Sequence, residues 1–337
     1  MTDLPTIGLR ATGTGYAAGG FSVVGDAALH ADPYARAAWI APGQPDVFGP
    51  DFKPRADGVV CEGSDYTAND IRCEQIPGTA IRVSGLSARG GNYRVKQAVN
   101  GVYLGSGDGK FHDVYLEGIV KDGLTLAGQA NVVIGSHIAG ADRACVIAAT
   151  SRIVAGYHEA ARIGTDILPG ADCSHIAGLD VGPATCWERC INIGSSGNSI
   201  TGIRGSVRGN SAEHPDSVGI DIASGLVHEV ITGSLQVQWR ENEPNLTCDV
   251  LRLRGSGHVI TIHTGWNAPT NATACKVLEP ISNCDISIIG SGDGGTVFDA
   301  AILGSGNRVR IAWRGTAVRY KGKLSKGNEL TIDGVKQ

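Results

Sequence analysis

Four carboxylates stand out in the second half of this chain: Glu188, Asp216, Glu241 and Glu243. Glycoside hydrolysis needs two carboxyl groups flanking the scissile bond, about 5 Å apart for retention or about 6.5–9.5 Å apart for inversion. Glu241 and Glu243 share one loop, and Glu188 or Asp216 can face them from neighbouring segments, so these are the catalytic candidates. Elimination from a uronate asks instead for an Arg or Lys base and a counter-charge. Arg189, Arg204, Arg208 and Arg240 occupy the same stretch. With 33 Asp and Glu in the chain, chance alone supplies several such pairings, so no catalytic role is assigned.

Four of the five tryptophans fall in or beside the same loops: Trp187, Trp239, Trp266 and Trp313. With Arg240 and His263 they form a candidate ligand-binding edge. A row of indoles beside charged groups suits a sugar polymer, suits a protein partner equally, and is also what results when each indole folds back over its own loop.

Other chemistry finds little support. There is no G-x-S-x-G elbow and no phosphate-binding G-x-x-x-x-G-K-[ST] loop. The segment GSGDGG at 290–295 occurs once and reads as a corner, not as a calcium repeat. His112–Asp113 reads as a solvent-facing polar pair, and His137, His158 and His175 as an open question of stacking along one side. No metal site and no cofactor is expected. The nine cysteines are an odd number without zinc-like spacing, and are expected to be mostly small, buried, reduced residues.

The elements that must position these residues are announced by repetition. A short alternating strand, a Gly/Ser/Asn turn and a second strand recur as VYLGSGDGKFHDVYL at 102–116, INIGSSGNSITGI at 191–203, LRLRGSGHVITIH at 251–263 and AILGSGNRVRIAW at 301–313. Copies are spaced by roughly 20 to 32 residues, too short for an independent domain and right for one coil of a solenoid. The 49 glycines and the Val/Ile/Leu/Ala-rich 42% apolar content fit many short strands joined by tight corners. The reading is all-β: a right-handed parallel β-helix of about 10–11 coils over residues 78–337, each strand pairing with its equivalent in the next coil. An antiparallel sandwich would need two-residue hairpins between strands of equal length, and a leucine-rich repeat would show its own signature.

Aligning the copies on their second strand places the longest insertions on one corner, at 180–190, 204–217, 239–248 and 263–275. Residues 1–57 show no repeat and read as an N-terminal arm with a short helix over 26–38. Residues 58–77 read as a cap or lead-in, and the last coil as open to a further subunit. A formal charge of −4, with no basic stripe, argues against a nucleic-acid partner. No apolar stretch approaches the roughly 20 residues of a membrane span, and the first residues carry no secretory pattern.

On repeat texture such as IGSSGNSITGI and LGSGNRVRI, residues 78–334 resemble the right-handed β-helices of the pectin-lyase-like class. Within it they are most similar to bacteriophage tailspikes and other virion β-helix proteins. That resemblance implies a parallel homotrimer in a virion. An N-terminal region, here residues 1–57, would contact other virion proteins, and the helix body would attach to, or cleave, host surface polysaccharide. Only PDFKPRADGVV at 50–60 matches the segment that opens many tailspikes, and no catalytic motif matches, so a non-enzymatic spike, fibre or capsid decoration is expected ahead of a depolymerase. A secreted bacterial lyase or adhesin is the remaining alternative.

Overall fold

The computed structural model describes residues 6–25, 57–181, 186–208, 216–238, 247–266, 271–300 and 303–337, and among them there is no helix. The chain divides into two units, Met1–Ala171 and Asp172–Gln337. Each is a parallel β-solenoid, with about 11 turns in all among the described residues.

In the first unit every coil contributes to two parallel stacks. One stack runs through Thr6–Thr14, Asp57–Ser64 and the later parts of Thr67–Leu86, Arg89–Gly107, Asn131–Ile147 and Ser151–Ile167, with Asp122–Leu126 between them. The other runs through Ala17–Val24, the first parts of the same long strands, and Lys110–Ile119. Side chains alternate in and out. The inward positions form ladders: Cys61, Val83, Leu104, Leu126 and Ile147 in one stack, Val95, Leu116 and Ile138 in the other, all essentially without solvent contact.

Two sequence-based boundaries are corrected. The solenoid begins at Thr6, not near residue 78. Leu9 pairs with Val59 and Phe21 with Ile71, so 6–24 is a first coil and 57–76 belongs to a second, not to a lead-in. Tyr16 stacks on Tyr66 one rung away at 4.6 Å and 6°, and each hydroxyl donates to a carbonyl five residues back, Ala11 and Cys61. Gly and Ala at 17–20 supply little side-chain alternation, which hides this coil. The link from Val24 to Asp57 joins the second stack to the first, as residues 75–78 do in the next coil. The expected helix over 26–38 lies outside the described residues.

In the second unit the stacks are Cys186–Ile193, Val218–Ile222, Asp249–Leu253, Thr273–Val277, Thr296–Ala300 and Val318–Gly322, and Ser199–Arg208, Val230–Gln238, Val259–Gly265, Asp285–Ser291, Arg308–Arg314 and Glu329–Ile332. Ile200, Ile231, Ile260, Ile286, Val309 and Leu330 form one buried ladder. The insertions before 218, 249 and 273 all connect the second stack to the first, so they share one corner as the repeat alignment requires.

Corners are built from stacked left-handed residues. Cys173, His228 and Asn283 have φ of 58°, 62° and 56°, and Gly306 and Gly327 hold the same position at 74° and 87°. Glycine adopts this region freely, and Asn better than most. The next residue in each rung turns inward and bonds to the preceding rung. Asn198 Oδ1 accepts the Ser174 N–H (3.0 Å), Glu229 Oε2 the Asn198 N–H (3.1 Å), His258 Nδ1 the Glu229 N–H (3.1 Å), Asn307 Oδ1 the Cys284 N–H (3.0 Å) and Asn328 Oδ1 the Asn307 N–H (2.9 Å). These bonds satisfy backbone donors that strand pairing leaves over at the bend.

Candidate functional site

The strands of the first stack in the second unit gather a block of charge on their outer face. Arg189 Nε meets Asp221 Oδ2 at 3.0 Å, and its Nη2 meets Asp216 Oδ2 at 3.0 Å. Arg252 pairs with Asp216 and, through Nε, with Asp249 Oδ2 at 2.7 Å. Arg254 Nη1 holds Asp221 Oδ1 at 2.6 Å. Asp221 and Arg252 are rung-to-rung neighbours of opposite sign, and Lys276 follows on the next rung, where it lies 3.7 Å from Asp249 Oδ2.

Two of the four catalytic candidates sit at the edge of this block. Asp216 is lowered to about 2, chiefly by its hydrogen bond to Arg252 and then by Arg189. A general acid or base works best with a pKa near the operating pH, so Asp216 is a permanent counter-ion. Half-buried Glu188 has Oε1 4.0 Å from Arg189 Nη1. Glu241 and Glu243 lie outside the described residues, as do Trp239 and Arg240.

The indole edge takes the third of its three forms. Trp187, Trp266 and Trp313 are only 4–5% exposed. Trp266 and Trp313 pack on each other at 4.8 Å, and their Nε1–H groups donate to the carbonyls of Asp293 (2.9 Å) and Gly292 (3.1 Å). Gly290 lies in the rung between them, where a Cβ would collide with the Thr264 carbonyl and the Trp313 ring. Trp266 and Trp313 thus close their own corner. His263 is exposed, between Ser234 and Ile289 in its row.

All nine cysteines are free thiols and all but Cys173 are buried. Burial pushes Cys73 up to about 12 and Cys61 up to about 11, far from a reactive thiolate. Among the described residues no three His, Cys, Asp or Glu side chains converge as metal ligands.

The histidines do not share a row. His158 is an inward residue, fully buried, with Nε2 3.2 Å from Ser136 Oγ and Nδ1 3.1 Å from Thr165 Oγ1, and burial lowers it to about 4. His137 points outward and belongs to a feature that the sequence reading missed. In the second stack of the first unit, Ser22, Arg72, Arg94, Tyr115, His137 and Tyr157 occupy one outward position in six consecutive rungs. The Arg94 guanidinium lies 5.2 Å from the Tyr115 ring centre. Tyr115 and His137 are 4.8 Å apart, and His137 and Tyr157 4.9 Å. Tyr157 donates to Glu159 Oε2 at 3.0 Å, and His137 Nε2 is 3.6 Å from Glu159 Oε1.

The next outward row carries Val24, Glu74, Lys96, Glu117, Ala139 and Glu159. Between the two rows lies a cavity of about 690 Å³, lined by Arg72, Glu74, Asn92, Arg94, Lys96 and Glu117 among others. That volume is in the range of small-ligand sites. Arg72 and Arg94 are exposed, and neither meets a carboxylate of the described residues. Arg94 Nε reaches only Asn92 Oδ1, at 3.3 Å. On the other stack of the same unit, by contrast, Arg82 holds Asp57 at 2.8 Å, and Arg143 holds Asp122 at 2.7 Å and Asp166 at 3.0 Å. The signal for this row was present: residues 72, 94, 115, 137 and 157 recur every 20 to 22 positions. It emerges only when copies are aligned on strand register instead of on turn residues.

No family model, curated protein or solved structure matches this chain.

Proposed function

We propose that this chain is a non-enzymatic attachment protein of a virion: a β-solenoid spike, fibre or capsid decoration that recognises host surface polysaccharide. The observation that carries the reading is the outward row Arg72–Arg94–Tyr115–His137–Tyr157 with its adjoining cavity, a polar surface in which Arg72 and Arg94 make no ion pair with the described residues. Asp216, one of the two candidate acids among the described residues, is neutralised by two arginines, which favours binding over hydrolysis.

The anchoring role narrows from residues 1–57 to the stretch 26–56. Residues 6–24 are a coil, while the 32 residues 25–56 stand in sequence where the next coil has the four residues 75–78. Insertions in solenoids concentrate on one corner and often carry the binding function. Homotrimerisation follows from the resemblance to tailspikes.

Replacing 26–56 by a short Gly/Ser linker tests this. The shortened protein is expected to keep its β-type circular dichroism, to sediment as a trimer and to be absent from particles. Incorporation at the original copy number overturns the anchor, and a monomeric full-length protein overturns the trimer.

A further inference from the structure

Resting on the attachment reading, we infer that the site between the Arg72 and Glu74 rows takes an acidic saccharide, with a sugar carboxylate held by Arg72 and Arg94. Arg72 and Arg94 occupy paired positions on adjacent strands of a parallel stack, whose backbones are about 4.8 Å apart. Two like charges so placed repel each other, and no carboxylate of the described residues relieves them. The charge blocks elsewhere in the molecule show what this sequence does when cations serve the fold. Arg143 bridges Asp122 and Asp166, and Arg189 bridges Asp216 and Asp221. At Arg72 and Arg94 no carboxylate of the described residues plays that part, and it is assigned to a ligand. A guanidinium fork fits a planar carboxylate in two parallel hydrogen bonds.

The surroundings select among anions. Glu74 and Glu117 flank Lys96 in the neighbouring row, and Asp70 is bonded to Asn92 at 2.6 Å beside it. A polymer with a phosphate at every unit, such as single-stranded nucleic acid, would be repelled by these carboxylates as it ran along the stack. A saccharide with spaced carboxylates uses them differently: its hydroxyls donate to Glu74 and Glu117, while Asn92 and Lys96 donate to its ring and glycosidic oxygens. Tyr115, His137 and Tyr157 continue the same row along the solenoid axis, giving a track several rungs long.

The test is calorimetric titration of the full chain with a panel of acidic oligosaccharides: oligogalacturonate, hyaluronate fragments and oligosialate. Their methyl-esterified forms and oligo(dT) serve as controls. At least one acidic member is expected to bind at least tenfold more tightly than its ester and than oligo(dT), and to weaken as salt is raised. The double variant Arg72→Ala/Arg94→Ala is expected to lose at least tenfold. Arg314→Ala, an exposed arginine of the other unit, is expected to lose nothing. Equal binding of acid and ester, tighter binding of oligo(dT), no binding by any acidic member, or an unaffected double variant overturns the inference. Particle incorporation of the full chain separates the two levels. If it persists and labelled protein still adheres to host cells while the acidic panel fails, only the ligand class is wrong. If adherence is absent too, the attachment reading fails with it.

Discussion

Two outer faces, that of the first stack in the second unit and that of the second stack in the first unit, use arginine in opposite ways. In the second unit Arg189, Arg252 and Arg254 are interlocked with Asp216, Asp221 and Asp249, and the parallel register sets Asp221 against Arg252 one rung on. In the first unit the register sets Arg72 against Arg94. In-register stacking repeats whatever the sequence places at one position, so a row of alternating sign supports the stack and a row of like sign opposes it. The contrast teaches that the charges of the Arg189–Arg252 face hold the fold together, while Arg72 and Arg94 are kept at some cost to it.

Breaking the paired face gives the largest expected effect. Arg252→Ala leaves Asp249, which is 8% exposed, with only Lys276 at 3.7 Å. It is expected to lower stability by about 3 kcal/mol, since removing one partner strands a nearly buried charge. Urea unfolding measures it, and a loss below about 1 kcal/mol would show that the block is ornamental.

A second test sharpens the comparison inside the second unit, where one buried carboxylate is left without a cation. Glu229 is fully buried at the corner, its Oε1 has no partner, and burial raises it to about 7. Its folded value is above its unfolded one, so its ionised form opposes folding. The penalty is absent below about 4.5, grows as pH rises to about 7, and stays constant above. Glu229→Gln is therefore expected to stabilise by about 2–3 kcal/mol at pH 8, since each tenfold rise in proton affinity on folding is worth about 1.4 kcal/mol. It is expected to change little at pH 4. Thermal unfolding at both values decides it, and an equal effect at the two would refute the assignment.

Asp216 has the opposite sign. Its folded value is below its unfolded one, so its contribution is present above about 4 and is lost as pH falls towards 2. It is more than half exposed, so Asp216→Asn is expected to cost no more than about 1 kcal/mol at pH 7, and a larger loss in urea unfolding would point to a role beyond charge pairing. The smallest effect is expected at the unpaired face. Arg72→Ala should shift stability by less than about 0.5 kcal/mol in either direction, and a loss like that of Arg252→Ala would erase the distinction between the faces.

The repeat of strand, Gly/Ser/Asn turn and strand was enough to specify a parallel solenoid. The reason is local: short alternating strands cannot bury a core alone, and Gly306, Gly327 and Asn283 supply corners of one kind. The first coil was hidden because 17–20 is Ala-Ala-Gly-Gly, and because 25–56 separates it from its partner strands. The sequence also placed Glu188, Arg189 and Asp216 in one region, since they flank one corner. It could not show that Arg252, 36 residues after Asp216, would occupy that aspartate, nor that Trp266 and Trp313 would meet across the Gly290 rung. Those contacts depend on register between coils of unequal length. The Arg72–Tyr157 row is the plainest case: its residues are ordinary singly, and only stacking at 20 to 22 residues per coil lines them up into a surface.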